Sequence, residues 1–180
     1  MLTFITSNEQ KLAEVERLLD RPLAREFITL EEIQAVALEP VVRHKAQQAY
    51  ATLGRPVLVE DTGLAFAAWN GLPGALMKWF LVTLGVEGVC RLLASEENRD
   101  ATATTMFAHY DGNALRVFSG EVQGVIPPTP RGSAGFGWDA IFQPLGSART
   151  FAEMTPAEKD GFSMRRRALE LLRASGLLTR

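Results

Sequence analysis

With one cysteine in the chain, Cys90, no intrachain disulfide can form. Cys90 sits between Gly88-Val89 and Arg91-Leu92-Leu93, a helical context that suits a packed core thiol. Only two histidines accompany it, too few for a zinc site of the usual kind. Long apolar runs are missing as well. The most apolar window, Ala75 to Val86, is broken by Lys78 and falls short of the roughly 20 residues that span a bilayer. The N-terminal MLTFITSNEQK has no basic region ahead of its short apolar run, so it does not read as a signal peptide. These absences predict a soluble, cytoplasmic protein with no membrane partner. Charge of one sign is lacking too. Lys and Arg number 19 against 21 Asp and Glu, a net charge of −2, which excludes a nucleic-acid-binding surface spread over the whole protein. A local basic pocket remains open.

What is present fits one globular α/β domain over residues 1–180, with 47% hydrophobic and 22% charged residues to build a core. Leu2 to Ile5 reads as a strand. A helix follows with Leu12, Val15, Leu18 and Leu19 at helical spacing, a Ser7/Gln10 capping box at its start and Arg21-Pro22 at its end. Phe27-Ile28 suggests a short strand. Glu39-Pro40 opens a second helix with the stripe Val42, Ala46, Ala49, Tyr50 and Leu53, closed by Gly54. The run Val57-Leu58-Val59-Glu60 is a strand that finishes in two acids, Glu60-Asp61. Helical stretches are expected from Ala75 to Leu84 and from Glu87 to Ala94. Ala103–Tyr110 and Leu115–Val125 form a hairpin around Asp111-Gly112-Asn113. Ala140 to Phe142 reads as a short strand. A last helix from Ser163 to Ser175 buries Met164, Ala168, Leu171 and Leu172, and Gly176 ends it. Strand-helix-strand units thus come first and antiparallel pairing later.

Several short stretches can carry chemistry. Thr6 to Lys11 lies at a strand-to-helix junction, where free N–H groups favour phosphate, and Lys11 adds a full charge. Glu14 can face Lys11 as a surface ion pair. Of Glu60 and Asp61, which point to opposite faces of a strand, one can enter the crevice where open α/β sheets bind ligands. A carboxylate there suits Mg²⁺ or the orientation of a water. Lys78 interrupts an apolar helix and either snorkels to solvent or reaches an anion. Ser133 to Asp139 places Phe136 and Trp138 among glycines, a stacking face beside a backbone that a ligand can approach closely. Lys159 and Arg165-Arg166-Arg167 add cations near the last helix. Each signal alone suits an ordinary cap, turn or solvated face. Together they describe a site for a triphosphate, a metal and a base.

In these motifs the sequence resembles the inosine triphosphate pyrophosphatase family. The match runs in order through TSNEQK, VLVEDTGL, GLPGALMKWFL, SAGFGWDAIF and FAEMTPAEKDGFSMRRRAL, and it is nearer the eukaryotic form than the usual bacterial one. The resemblance implies a mixed, twisted sheet flanked by helices in an elongated, two-lobed molecule with a central cleft. It implies hydrolysis of ITP, dITP and XTP to the monophosphate and pyrophosphate, Mg²⁺ dependence and a homodimer. Carried over, Thr6, Ser7, Asn8 and Lys11 hold phosphate, with Lys11 catalytic. Asp61 binds metal or acts as base, beside Thr62 and Gly63. Lys78 contacts the triphosphate, and Lys45 matches a substrate-binding lysine on the second helix. Phe136, Gly137, Trp138 and Asp139 form the base-binding loop, and Lys159 and Arg165 make base and phosphate contacts, with Met164 also at the substrate. Glu32 is the best candidate for a second metal ligand, with Glu31 and Glu39 open. Two residues depart from the family pattern. Met164 replaces a histidine, which removes a hydrogen-bonding group, and Ser7 replaces a glycine. The implied reaction is attack of water on the α-phosphorus, with Lys11, Lys78 and Lys159 neutralising the leaving pyrophosphate. Donors at Phe136 to Trp138 and on Arg165 would favour a 6-oxo purine over adenine. Action on modified pyrimidine nucleotides and nucleotide binding without hydrolysis are the rival readings.

Overall fold

Strands and helices alternate through the N-terminal half, as the sequence predicts. A computed structural model describes residues 3–179; Leu2 lies outside them. β1 (Thr3–Ile5) is followed by α1 (Glu9–Leu19), β2 (Ala24–Glu26), α2 (Leu38–Leu53) and β3 (Val57–Phe66). Asn8 caps α1 in place of the expected Ser7/Gln10 box. The Thr6 hydroxyl accepts the Asn8 N–H at 3.1 Å, which carries the turn one residue further, and the Asn8 side chain then accepts the Lys11 N–H at 3.0 Å. The second strand is β2, not Phe27-Ile28. β1 offers only three residues for pairing, Thr3↔Ala24 to Ile5↔Glu26, and the chain leaves the sheet after that. α2 begins near Glu39-Pro40 and ends at Gly54, whose φ of 63° is left-handed.

β3 does not stop at the acids. It continues as a ten-residue strand because β5 (Asp100–Tyr110) pairs with it from Val57↔Tyr110 to Phe66↔Ala101. What stops there is the parallel pairing, since the last residue of β1, Ile5, lies opposite Val59. β4 (Pro73–Gly74) then returns along Leu64-Ala65, and α3 (Met77–Leu92) is broken at Gly85, φ 66°, into the two expected stretches. β6 (Leu115–Val125) completes the hairpin, whose turn is fixed by Asp111 accepting the N–H groups of Asn113 and Ala114. The expected strand at Ala140–Phe142 is instead a 3₁₀ turn, Asp139–Ile141, closed by Ile141 N–H to the Trp138 carbonyl, with β7 (Gln143–Pro144) after it. α4 (Pro156–Phe162) has no counterpart in the sequence reading. It carries Lys159, precedes α5 (Met164–Ala174) and is started by a Thr155/Glu158 capping box with Pro156 between.

The seven-stranded sheet has the order β2-β1-β3-β5-β6-β7, with β4 beside β3. Its strands are parallel around β1 and antiparallel beyond β3. One face is covered by α1 and α5 through Phe4, Val15, Leu58, Phe107, Ala168 and Leu172. The other is covered by α2 through Ile5, Val42, Ala46, Val57 and Val59. A third cluster packs Leu64, Phe66, Met77, Cys90, Trp138, Phe142 and Phe151 beyond β4, and there the thiol is buried as expected. In α5 Leu169 is buried and Leu171 exposed, the reverse of the predicted stripe. α5 lies directly on β6. A Cβ on Gly120 would stand 2.0 Å from the Met164 carbonyl oxygen, so only glycine admits the helix at this depth.

Candidate active site

A cleft of about 720 Å³ opens where the pairing of β1 with β3 ends. Every wall comes from a different element. The start of α1 supplies Ser7, Asn8 and Lys11, and the irregular segment before α2 supplies Glu32. α2 gives Lys45, β3 gives Asp61 and Thr62, and the start of α3 gives Lys78. Phe136 to Asp139, Lys159, Met164 and Arg165 close the other end.

The two adjacent acids separate by strand alternation. Glu60 follows Leu58 onto the α5 face, and Asp61 follows Val59 onto the α2 face. Because β1 ends at Ile5, Lys11 reaches over its end to both carboxylates, 2.8 Å from Glu60 Oε2 and 3.5 Å from Asp61 Oδ1. Glu60 is 3% exposed. Burial opposes its ionisation, but Lys11 and Arg165 more than offset this and hold its pKa at about 2. Arg165 is 1% exposed and donates to Glu60 Oε1 at 2.9 and 3.3 Å, while its Nη1 lies 2.8 Å from Glu14 Oε1. The guanidinium is therefore committed to two carboxylates. It also stands 5.8 Å from the Phe136 ring centroid, at the aromatic end of the cleft.

Glu14 also corrects an expectation. It does not form a surface pair with Lys11, because α5 brings Arg165 beneath α1 and draws the carboxylate inward. Burial raises the Glu14 pKa, but Arg165 and Lys159 bring it below the usual range. Lys159 Nζ lies 2.8 Å from Asp139 Oδ2, 3.5 Å from Glu14 Oε2 and 5.0 Å from the Phe136 centroid. Asp139 accepts the Phe136 N–H at 2.9 Å and so shapes the turn; burial pushes its carboxyl up despite Lys159. Neither Glu14 nor Glu60 was singled out for the site. The available signals were the Lys11-to-Glu14 spacing and the doubled acid at β3.

On the α2 side Lys45 Nζ lies 3.0 Å from Glu32 Oε1. Burial lowers the Lys45 pKa, but Asp61 and Glu32 raise it above its usual value. Glu32 is held below its usual value by Lys45, Lys78 and Lys11 against the effect of burial. Glu39 pairs instead with Arg43 at 2.7 Å, and neither it nor Glu31 lines the cleft. Lys78 makes no salt bridge among the described residues and is free to meet an anion. No group of three or more His, Cys, Asp or Glu among the described residues could hold a metal ion by itself. Of the carboxylates that line the cleft, Glu9 pairs with Arg25 and Asp139 with Lys159, which leaves Asp61 and Glu32 beside Lys45.

Two of the predicted residues stand behind the wall rather than in it. The Thr6 hydroxyl is used by the Asn8 N–H, and Gly63 lies under β4, where a Cβ would be 3.0 Å from the Gly74 carbonyl. Ser7 needs no left-handed backbone, so the loss of glycine there is tolerated. Trp138 packs edge-on against Phe142 at 5.6 Å and belongs to the core, which leaves half-buried Phe136 as the ring available for stacking. Met164 is buried beside this core cluster and gives the cleft an apolar patch.

This geometry defines an α/β protein whose cleft is lined by lysines at one end and an aromatic turn at the other. The chain belongs to the Ham1 family, whose family model matches residues 2–175. It is 44% identical to the inosine triphosphate pyrophosphatase of Yarrowia lipolytica, over 96% of this chain and 93% of that protein. It is 39% identical to the dITP/XTP pyrophosphatase of Hyperthermus butylicus, over 93% and 90%. Among solved structures, a HAM1 protein from Coxiella burnetii superimposes with a TM-score of 0.82 at 31% identity, covering 99% of both chains. The family resemblance and the mixed α/β fold expected from the sequence are both met.

Proposed function

We propose that the protein hydrolyses non-standard purine nucleoside triphosphates, ITP, dITP and XTP, to the monophosphate and pyrophosphate. The observation that carries this reading is the distribution of charge along one cleft. Lys11, Lys45 and Lys78 gather at the end where α1 presents its N-terminal N–H groups, and Phe136 stands at the other. A polyphosphate fits the first end and a stacked base the second. The names of the relatives, pyrophosphatases for ITP and for dITP/XTP, support the same substrates.

Asp61 is the residue placed to act on the attacking water. Its Oδ1 accepts the Thr62 N–H at 2.8 Å and faces Lys11, which leaves Oδ2 for a water. Lys11 and Lys78 neutralise the leaving pyrophosphate. Donors for a 6-oxo group are the N–H groups of Gly137 and Trp138, Phe136 N–H being given to Asp139, and the Arg165 N–H groups that Glu14 and Glu60 do not take. A 6-amino group meets donors there and is rejected.

Asp61 and Glu32 would hold Mg²⁺. Both are hard oxygen donors, and both raise the Lys45 pKa, so their fields overlap at one cation. Two carboxylates suit a Mg²⁺ that keeps waters and substrate oxygens as its other ligands. When bound, the ion would polarise the phosphoryl oxygens and offset their charge. The homodimer and the cytoplasmic location belong to the same proposal and rest on the family resemblance; sedimentation tests the former.

The test is pyrophosphate release with Mg²⁺ from ITP, XTP, dITP, ATP, GTP and TTP in parallel. Fast release from the first three and little from the rest is expected. Equal release from all six contradicts the base selectivity. Bound nucleotide without release supports a non-hydrolysing binding module instead.

A further inference from the structure

α1 meets its neighbours through a line of charges at a spacing of three residues. Lys11 faces Glu60 and Asp61, Glu14 faces Arg165 and Lys159, and Arg17 pairs with Asp160. The first two rungs belong to the cleft. The third lies outside it, in a separate cavity of about 250 Å³ that Arg17 and Asp160 line with Arg166 and Glu170 of α5. Asp160 follows Lys159 in sequence, and α4, which carries both, is only seven residues long.

α4 buries Lys159 and packs Phe162 against the third core cluster, while Pro156, Ala157, Glu158 and Gly161 are exposed. Phe162 holds its C-terminal end, and polar ties orient the rest. On the outer side Arg149 pairs with Glu158 at 2.8 Å, which anchors the first turn to the loop before it. Asp160 gives α4 a charged tie to α1, and Lys159 carries the adjoining charge into the cleft. Arg166 is engaged by Glu170 and Arg173 by the Leu18 carbonyl, so neither competes for Asp160.

We propose that Arg17 and Asp160 form a latch that positions Lys159 over Phe136 and against the bound nucleotide. They are positioning residues. Neither touches the cleft, and each acts on the ligand through the placement of α4. The pair is partly exposed, with side chains 39% and 18% accessible, so its strength is that of a surface ion pair, screened by salt. The proposal rests on the nucleotide-binding reading of the cleft.

The test is a double-mutant cycle with Arg17→Gln, Asp160→Asn and both together, plus the charge exchange Arg17→Asp with Asp160→Arg. For dITP each single change is expected to raise KM about threefold, the range of an exposed pair, with kcat altered less. The double change should add little, and the exchange should recover most of the loss. A second readout needs no turnover: the NMR signal of the Lys159 side-chain ammonium, identified with Lys159→Arg, should shift in both single variants of the free protein. Additive KM effects, or an unmoved Lys159 signal, overturn the latch. A wild-type protein that turns over no nucleotide overturns the function reading instead, and the Lys159 signal still decides on the latch.

Discussion

Removing the charge from Asp61 and removing it from Glu60 are expected to do different things. Asp61 is partly exposed at the cleft wall with one oxygen uncommitted. Asp61→Asn should abolish turnover while melting within a few degrees of the parent, as calorimetry will show. Glu60 is buried between Lys11 and Arg165. Glu60→Gln leaves the Arg165 guanidinium with Glu14 as its only carboxylate partner, and breaking a buried pair in this way costs about 3–5 kcal/mol. At roughly 2–4 °C per kcal/mol for a chain of this size, the melting temperature should fall by about 10 °C. Equal stability of the two variants would contradict the division of roles. The sequence could show that two acids adjoin and that strand alternation parts them. It could not show which one is paired, because both partners of Glu60 come from distant elements, α1 and α5.

At the scale of elements, the depth of α5 on the sheet is the controlling feature. Gly120 permits it, with the Met164 carbonyl and the Ala168 N–H against its Cα. Gly120→Ala must lift the first turn of α5, and with it Arg165, away from β3. A lower melting temperature and a higher KM for dITP are expected together; a variant with parental KM would show that α5 does not set the cleft. The elements that periodicity defines well were legible: α1, α2, α5, the β5–β6 hairpin and the break in α3 at Gly85. α4 was not. It is too short to show an apolar stripe, and Lys159, a buried cation, occupies the position where a core residue would have signalled it. Nor was the true length of β3, since pairing with β5 carries the strand through polar residues that interrupt its apolar pattern.

For the whole molecule, the buried charge network couples stability to acid. Glu60 titrates at about 2 when folded, against an ordinary value of 4.5, and Glu14 and Glu32 shift in the same direction. A depressed carboxylate stabilises the fold above its unfolded pKa and loses that contribution as pH falls through the folded value. Asp139 shifts the other way and opposes the trend. Denaturant midpoints should therefore fall between pH 4.5 and 2, and Glu60→Gln should flatten that decline. An unchanged slope in the variant would remove Glu60 as its source. Most of the cleft was legible in the sequence because its lysines, the aromatic turn and Asp61 lie in recognisable motifs. The inner network was not, since Glu14, Glu60 and Arg165 meet only after α1, β3 and α5 have packed.

A purine triphosphate bound in this cleft should be cut between its α- and β-phosphates. ³¹P NMR of dITP incubated with the protein and Mg²⁺ tests it most directly. The triphosphate signals should give way to those of the monophosphate and pyrophosphate alone. Diphosphate and inorganic phosphate in their place, or an unchanged spectrum, would contradict it.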